Sequence, residues 1–151
     1  MNKSTSGASA EGIHIYPVRV YYEDTDLAGI VYYANYLKFI ERARSEWVRE
    51  LGIDQRRIKE EDGMVFAVRR IEADYLAPAH FDDELEVQTA PEAVTGARIV
   101  LKQDVLRDGE VLTGSAQDNT VKVDVRDLAP GTEYFYRFRA LGQKSPVGRL
   151  R

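Results

Sequence analysis

Residues 21–36 read Tyr-Tyr-Glu-Asp-Thr-Asp-Leu-Ala-Gly-Ile-Val-Tyr-Tyr-Ala-Asn-Tyr and decide how this chain folds. They join a segment of aromatic and β-branched residues, typical of a strand, to an amphipathic segment that is typical of a helix. Two aspartates and a glycine fall in the irregular stretch between them. A carboxylate held beside free backbone N–H groups at a helix start can attack a carbonyl group or activate water against one. The stretch therefore predicts a candidate catalytic site.

A long helix is predicted from about Tyr33 to Leu51. Its apolar residues recur with helical spacing at Tyr36, Leu37, Ile40, Ala43, Trp47, Val48 and Leu51. Charged and polar residues fill the opposite face, and Gly52 is typical of a helix end. At about 1.5 Å per residue such a helix is about 28 Å long, which is enough to span a sheet.

The rest of the chain is predicted to be mostly strand. Alternating apolar and polar residues indicate strands at 13–22, 64–76, 84–89, 97–106 and 110–113, with a polar helical turn at 55–61. Pro17 confines the first strand to an edge or a bulge, and Asp108-Gly109 is typical of a hairpin turn. One long helix followed by antiparallel strands indicates the α+β class, with a sheet wrapped on a central helix.

Composition excludes several kinds of protein. With 151 residues, 44% apolar and 30% charged, the chain is typical of one globular domain. The net charge of −4 comes from mixed signs, so no nucleic-acid partner is expected. Because the chain has no cysteine, disulfides, a thiolate nucleophile and cysteine-ligated metals are excluded. No apolar run approaches the roughly 20 residues of a membrane span.

The two ends of the chain are predicted to lie outside the domain core. Residues 1–12 are rich in Ser, Ala and Gly and lack an apolar signal-peptide core, which predicts a disordered lead and a cytoplasmic protein. Residues 13–140 are predicted to form one domain, and 141–151 a flexible tail. His14 and His80 have no metal-ligand spacing and are expected in surface or loop positions. No metal or other cofactor is expected.

Residues 16–116 resemble the hotdog-fold acyl-CoA thioesterases of the 4-hydroxybenzoyl-CoA and YbgC-like (Tol-Pal-associated) branch. The likeness rests on Glu23-Asp24-Thr25-Asp26, Ala28–Tyr32, Asn35–Leu37, Glu41–Arg44 and Val68–Ala79. It implies an antiparallel sheet wrapped around one long helix. It also implies hydrolysis of a short-chain aliphatic or aromatic acyl-CoA to the acid and coenzyme A, without a cofactor. Relatives of this kind form homodimers or homotetramers with sites at the subunit interface.

The resemblance assigns roles to particular residues. Asp26 matches the family's catalytic carboxylate, acting as nucleophile or as general base for water. Gly29 permits a close approach of the backbone to substrate. The backbone N–H of Tyr33 matches the donor that polarises the thioester carbonyl, although relatives often carry histidine at that position. The predicted substrate contacts are Tyr22, Ile30, Val31, Arg69 and Arg70, with the two arginines facing the phosphates of coenzyme A.

Other interpretations of these residues are structural. Asp24, and less readily Asp26, can be a turn or cap residue that satisfies free N–H groups. The tyrosines at 21, 22, 32, 33 and 36 can serve packing alone, and solvated strand faces explain Arg69, Arg70, Arg98 and Lys102 equally well. An alternative function is a non-catalytic acyl-binding or assembly module, whose active site is disabled.

The C-terminal part departs from the family pattern. Gln117-Asp118-Asn119 is polar where the family has an apolar strand, which predicts an interruption of that strand. Residues 121–125 are then expected to substitute for it, with residues 133–140 added at an edge as an atypical hairpin. Residues 120–151 resemble instead the end of a fibronectin-III-like domain of PhoD-like phosphatases, through Leu128–Tyr134. A fusion of two unrelated sequences, or a different fold, are the other accounts.

Overall fold

One long helix packs on a six-stranded antiparallel sheet in the computed structural model of the chain. The structure describes residues 7–8, 12–95, 97–123, 128–137, 139–140, 143–144 and 147–150. The helices are α1 (Asn35–Glu50) and α2 (Gln55–Asp62), with a single 3₁₀ turn at Tyr22–Asp24. The strands of the sheet are β1 (Gly7–Ala8), β2 (His14–Arg19), β3 (Met64–Tyr75), β4 (Glu84–Thr95), β5 (Arg98–Arg107) and β6 (Glu110–Val123).

The strands of the sheet lie in the order β1-β2-β4-β5-β6-β3. Every neighbouring pair is antiparallel, and Asp108 and Gly109 both have positive φ in the hairpin turn between β5 and β6. Within the described residues, β3 pairs with β6 alone and so forms an outer edge of the sheet. The α+β architecture and the hotdog fold predicted from the sequence are confirmed.

The buried face of α1 differs in detail from the predicted apolar stripe. Its buried residues are Tyr36, Phe39, Ile40, Ala43, Trp47 and Val48. The prediction was wrong for Leu37 and Leu51, which are exposed, and it missed Phe39, which is fully buried. Because successive helical residues are rotated by about 100°, Phe39 shares the face of Tyr36 and Ala43, whereas Leu37 points away from it.

A row of buried polar residues crosses the sheet beneath α1. Cross-strand register places His14 beside Thr89, Thr89 beside Gln103, and Gln103 beside Ser115. The side-chain amide of Gln103 donates to Thr89 Oγ1 and to the backbone oxygen of Ile40 in α1, both at 2.9 Å. These bonds tie the sheet to the middle of the helix.

The prediction that His14 lies at the surface is wrong. Its side chain is only 1% exposed, and its Nε2 lies 3.3 Å from the Glu50 carboxylate at the end of α1. His80 does lie in an exposed loop, as predicted.

The predicted interruption at residues 117–119 is also wrong, because β6 continues through them to Val123. Gln117 and Asn119 pair with β5 on one side and with β3 on the other. Their polar neighbour Asp118 binds arginines, and the Oδ1 atom of Asn119 accepts a hydrogen bond from Arg44 at 2.9 Å. The strand tolerates Asp118 and Asn119 because β3, β5 and α1 supply arginine partners for them. Of the predicted substitute strand, 121–123 are the end of β6, and 124–125 lie outside the described residues.

The C-terminal residues form small ladders of their own. These involve β7 (Tyr134–Tyr136), β8 (Arg139–Ala140), β9 (Gln143–Lys144) and β10 (Gly148–Leu150). β7 pairs with β10 and β8 with β9, so the expected addition of residues 133–140 to an edge of the main sheet was wrong for the described part of the chain. Of the predicted lead, Gly7 and Ala8 pair with Ile15 and His14. Residues 1–6 and 9–11 of that lead, and 141–142, 145–146 and 151 of the predicted tail, lie outside the description.

Candidate active site

Asp24 holds the strand-to-helix junction in shape. Its carboxylate is almost fully buried, and Oδ2 accepts a hydrogen bond from the Tyr21 N–H at 2.8 Å. Its backbone oxygen accepts two more, from the Tyr32 N–H at 3.0 Å and from the side-chain amide of Asn35 at 2.9 Å. The structural interpretation of Asp24 as a turn residue is therefore confirmed.

Asp26 begins a tight turn that ends at Ile30. Its N–H donates to the Ile30 oxygen at 2.8 Å, and its own backbone oxygen accepts from the Gly29 N–H at 3.0 Å. Gly29 has a φ of 79°, in the left-handed region that glycine adopts without strain. The carboxylate Oδ1 of Asp26 accepts from the Ala28 N–H at 2.9 Å. Its Oδ2 has no hydrogen-bond donor within the described residues, so that oxygen is available to a reactant.

The segment after this turn is pinned to the loop that follows β3. The Val31 N–H donates to the Ala79 oxygen at 2.9 Å, and Ile30 forms an isolated antiparallel bridge with His80. Because these are backbone contacts, they fix the direction in which the chain enters α1.

Asp83 and Arg107 brace that same loop. The Asp83 Oδ2 accepts from the His80 N–H at 2.8 Å and from Arg107 at 2.7 Å, while Arg107 also reaches the Pro78 oxygen at 3.3 Å. Burial disfavours the charged carboxylate, but the His80 N–H and the guanidinium outweigh it and hold the pKa of Asp83 below its ordinary value of 3.8.

The first peptide groups before α1 leave the Tyr33 N–H free. The Tyr32 oxygen accepts from the Asn35 N–H at 2.8 Å, and the Tyr33 oxygen accepts from the hydroxyl of Tyr75 at 3.0 Å. In the described part of the chain, the Tyr33 N–H has no acceptor. Free N–H groups at a helix start carry the positive end of the helix dipole, so this one can stabilise a developing negative charge.

A pocket of about 190 Å³ lies beside this donor. Its lining consists of Ile30, Val31, Tyr33, Tyr36, Tyr75, Leu76, Ala77 and Pro78. The Tyr75 ring contacts those of Tyr33 and Tyr36, with centroids 6.0 and 5.6 Å apart. The Tyr36 hydroxyl accepts from the Ala79 N–H at 3.1 Å, and burial raises the pKa of Tyr36. The pocket is thus an open, mainly apolar cleft.

The predicted site residues divide into two groups. Ile30, Val31 and Tyr33 line the pocket, and Asp26 and Gly29 form the turn that leads into it. Tyr22 does not line it: its side chain is 81% exposed and its ring contacts Phe81 with centroids 6.5 Å apart.

Arg69 and Arg70 lie away from the pocket lining, in the middle of β3. Arg69 is the extra residue of a β-bulge, and its Nη1 lies 3.3 Å from Asp118 Oδ2. Arg98 also binds this carboxylate, and its hydrogen bonds hold the pKa of Asp118 below the ordinary value. Arg70 pairs with Glu72. Both β3 arginines are largely exposed.

Five residues of the pocket lining were not predicted as site residues: Tyr36, Tyr75, Leu76, Ala77 and Pro78. Tyr75 stands at the end of β3, just before the Ala77-Pro78 break, and this strand-end position is the signal that could have identified it. Among the described residues, no group of three His, Cys, Asp or Glu could hold a metal ion. No described helix is long and apolar enough to cross a membrane.

Comparisons with known proteins agree with this arrangement. A family model described as the thioesterase superfamily matches residues 28–113. An acyl-CoA thioesterase YbgC of Haemophilus influenzae is 44% identical over 113 residues, which are 75% of this chain and 80% of the relative. An acyl-CoA thioester hydrolase YbgC of Escherichia coli O6:H1 is 40% identical over 115 residues, covering 76% of this chain and 85% of the relative.

Among solved structures, a probable thioesterase from Bartonella henselae aligns with a TM-score of 0.71 and 32% identity. The alignment covers 75% of this chain and 94% of that one. None of these comparisons supports the likeness of residues 120–151 to a fibronectin-III-like domain, which stays a prediction.

Proposed function

The chain belongs to the thioesterase superfamily, and from this premise we propose that it hydrolyses acyl-CoA thioesters to the free acid and coenzyme A. The acyl group is short-chain aliphatic or aromatic. One observation carries the proposal: the free Oδ2 of Asp26 and the unaccepted N–H of Tyr33 belong to one rigid segment that borders an apolar pocket.

The reaction needs only these groups, because a thioester is already an activated acyl compound. The Asp26 carboxylate either attacks the carbonyl carbon, giving an anhydride that water then cleaves, or removes a proton from the attacking water. In both routes the C–S bond breaks and coenzyme A leaves as the thiolate, which takes up a proton. The Tyr33 N–H donates to the carbonyl oxygen as negative charge develops, an interaction typically worth about 3 kcal/mol.

The remaining predicted residues have supporting roles. Gly29 lets the backbone approach the thioester, and Ile30 and Val31 contact the acyl group. Tyr22 contacts the coenzyme A portion, and Arg69 and Arg70 contact its phosphates. Their exposure supports these last three assignments, although each arginine already pairs with an acid.

We further propose a cytoplasmic homodimer or homotetramer. The outer edge of β3, with the exposed side chains of Val68 and Ile71, supports pairing with another copy. A non-catalytic acyl-binding or assembly module with a disabled active site is less well supported, since the Asp26 Oδ2 and the Tyr33 N–H are both free within the described residues.

Release of free thiol from a panel of acyl-CoAs tests the activity, with wild type measured beside Asp26→Asn. We expect the variant to lose at least about 100-fold in kcat, as when a catalytic acid or base is removed, with an unchanged circular dichroism spectrum. A single turnover in ¹⁸O-labelled water tests the nucleophilic route. If water cleaves the anhydride at the Asp26 carbonyl, the label enters Asp26 and the acid leaves without it, whereas direct attack by water places the label in the acid.

Asp62→Asn is the matched control, since it removes an exposed carboxylate at the end of α2. Wild-type turnover that survives in Asp26→Asn would exclude the role of Asp26. A folded wild-type protein that binds acyl-CoA but releases no thiol would favour the binding module.

A further inference from the structure

Tyr75 reaches from the sheet edge to the backbone of the segment that carries the free N–H. It is the last residue of β3, and its hydroxyl donates a hydrogen bond of 3.0 Å to the backbone oxygen of Tyr33. The two residues are 42 positions apart in the chain. The contact therefore joins the outer strand to the start of α1.

The Tyr75 hydroxyl supplies the Tyr33 oxygen with a hydrogen-bond donor that α1 does not provide. In a regular α-helix the N–H of Leu37, four residues after Tyr33, would donate to the Tyr33 oxygen. Here it donates to the Ala34 oxygen at 3.1 Å. Within the described residues, the Tyr75 hydroxyl is thus the hydrogen-bond donor to the Tyr33 oxygen. The preceding peptide is held separately, because its oxygen, that of Tyr32, accepts from the Asn35 N–H.

Together these bonds fix the peptide planes on both sides of the Tyr33 α-carbon. The Asn35 bond holds the plane that contains the free N–H, and the Tyr75 bond holds the next one. The Tyr75 ring packs on the rings of Tyr33 and Tyr36, and burial raises the pKa of its hydroxyl.

We propose that Tyr75 is a positioning residue, whose hydroxyl holds the peptide that follows the Tyr33 α-carbon and so helps to keep the Tyr33 N–H directed at the substrate carbonyl. The proposal rests on the proposed function for the identity of the substrate, an acyl thioester. Its core is geometric: an oxyanion donor stabilises charge only when it is aligned before the charge develops.

The test is Tyr75→Phe, which keeps the ring and removes only the hydroxyl. We expect kcat to fall about three- to tenfold, the loss typical of one neutral hydrogen bond, with KM nearly unchanged. Tyr16→Phe is the matched control, because Tyr16 packs against the core from β2 and lies outside the site. We expect the control to keep both kinetic constants.

A second measurement does not depend on turnover. The probe is an acyl-CoA analogue in which a methylene replaces the thioester sulfur, with its carbonyl carbon labelled with ¹³C. Infrared difference spectra should show a lower carbonyl stretching frequency for the analogue bound to wild type than for the free analogue. Part of that lowering should disappear in Tyr75→Phe and persist in Tyr16→Phe.

The outcomes separate the two proposals. An unchanged kcat and an unchanged carbonyl frequency in Tyr75→Phe would overturn the role of Tyr75 while leaving thioester hydrolysis intact. Frequency lowering in a wild type that hydrolyses nothing, lost in Tyr75→Phe, would support the role of Tyr75 and refute the hydrolase. A lower melting temperature with normal kcat and frequency would reduce Tyr75 to a packing residue and count against the proposal.

Discussion

Replacing Asn119 by leucine tests how β6 accommodates its polar residues. A family pattern with an apolar final strand predicts that Asn119→Leu stabilises the protein. The structure predicts otherwise, because Asn119 is 2% exposed and its Oδ1 accepts from the partly buried guanidinium of Arg44. Burial lowers the pKa of Arg44, because the buried cation loses hydration that its surroundings do not fully replace. The negative charge of Glu41 partly opposes this shift.

The magnitude follows from two opposing terms. Losing a hydrogen bond to a charged group typically costs about 1.5–3 kcal/mol. Burying a leucine side chain gains a similar amount, about 1.5–3 kcal/mol. Asn119→Leu alone should therefore change the free energy of unfolding little. With Arg44→Met already present, no guanidinium is left unpartnered, so the leucine should then stabilise the protein. The expected coupling between the two positions is about 2 kcal/mol.

A double-mutant cycle measures this coupling. Urea unfolding of the wild type, the two single variants and the double variant can be followed by the fluorescence of Trp47, the only tryptophan in the chain and 8% exposed. Far-ultraviolet circular dichroism gives a second probe of the same transition. Additivity within about 0.5 kcal/mol would refute the reasoning, since independent sites behave in that way.

Two further predictions concern the core and the loop that braces the site. Phe39→Ala should lower the free energy of unfolding by about 3–5 kcal/mol, because Phe39 is fully buried. The neighbouring Leu37→Ala should cost much less since Leu37 is exposed, and equal losses in urea unfolding would contradict the burial pattern. Since the pKa of Asp83 is lowered in the folded state, its charge stabilises the fold above about pH 4 and that contribution is lost as the pH falls through the lowered pKa. Melting temperatures of wild type and Asp83→Asn should therefore differ at pH 7 and converge as the pH falls through the lowered pKa of Asp83, and a gap that does not depend on pH would exclude this ionisation.

The sequence predicts those parts of the fold that depend on local patterns. The strands and α1 follow from period-two and helical spacing, and Asp24 follows from the preference of aspartate for free N–H groups before a helix. The turn at Gly29 is also predictable, because glycine adopts a positive φ without strain.

The features that the sequence does not predict depend on partners distant in the chain. His14 is buried between β4 and β1, where it pairs with Thr89 and Ala8, and Glu50 comes within 3.3 Å of it, 36 positions later. β6 continues through Asn119 because Arg44, on α1, offers a donor. Tyr75 enters the site because the sheet brings the end of β3 to the start of α1. Local periodicity carries no information about such contacts.

The hydrogen bonds of residues 21–36 bear on how this protein can diverge. Asp24 binds Tyr21, Tyr32 and Asn35, and Asp26 binds Ala28 and Ile30, so most of the bonds that shape the segment begin and end inside it. Apart from residues of α1, its hydrogen-bond partners outside the segment lie in residues 75–80, and within the described residues none comes from β6. Residues 117–119 can therefore change without breaking a hydrogen bond of the reactive turn, whereas Leu112 of the same strand packs in one cluster with Val31 and Tyr36. Substitutions at 117–119 and in the segment 21–36 are free to accumulate independently.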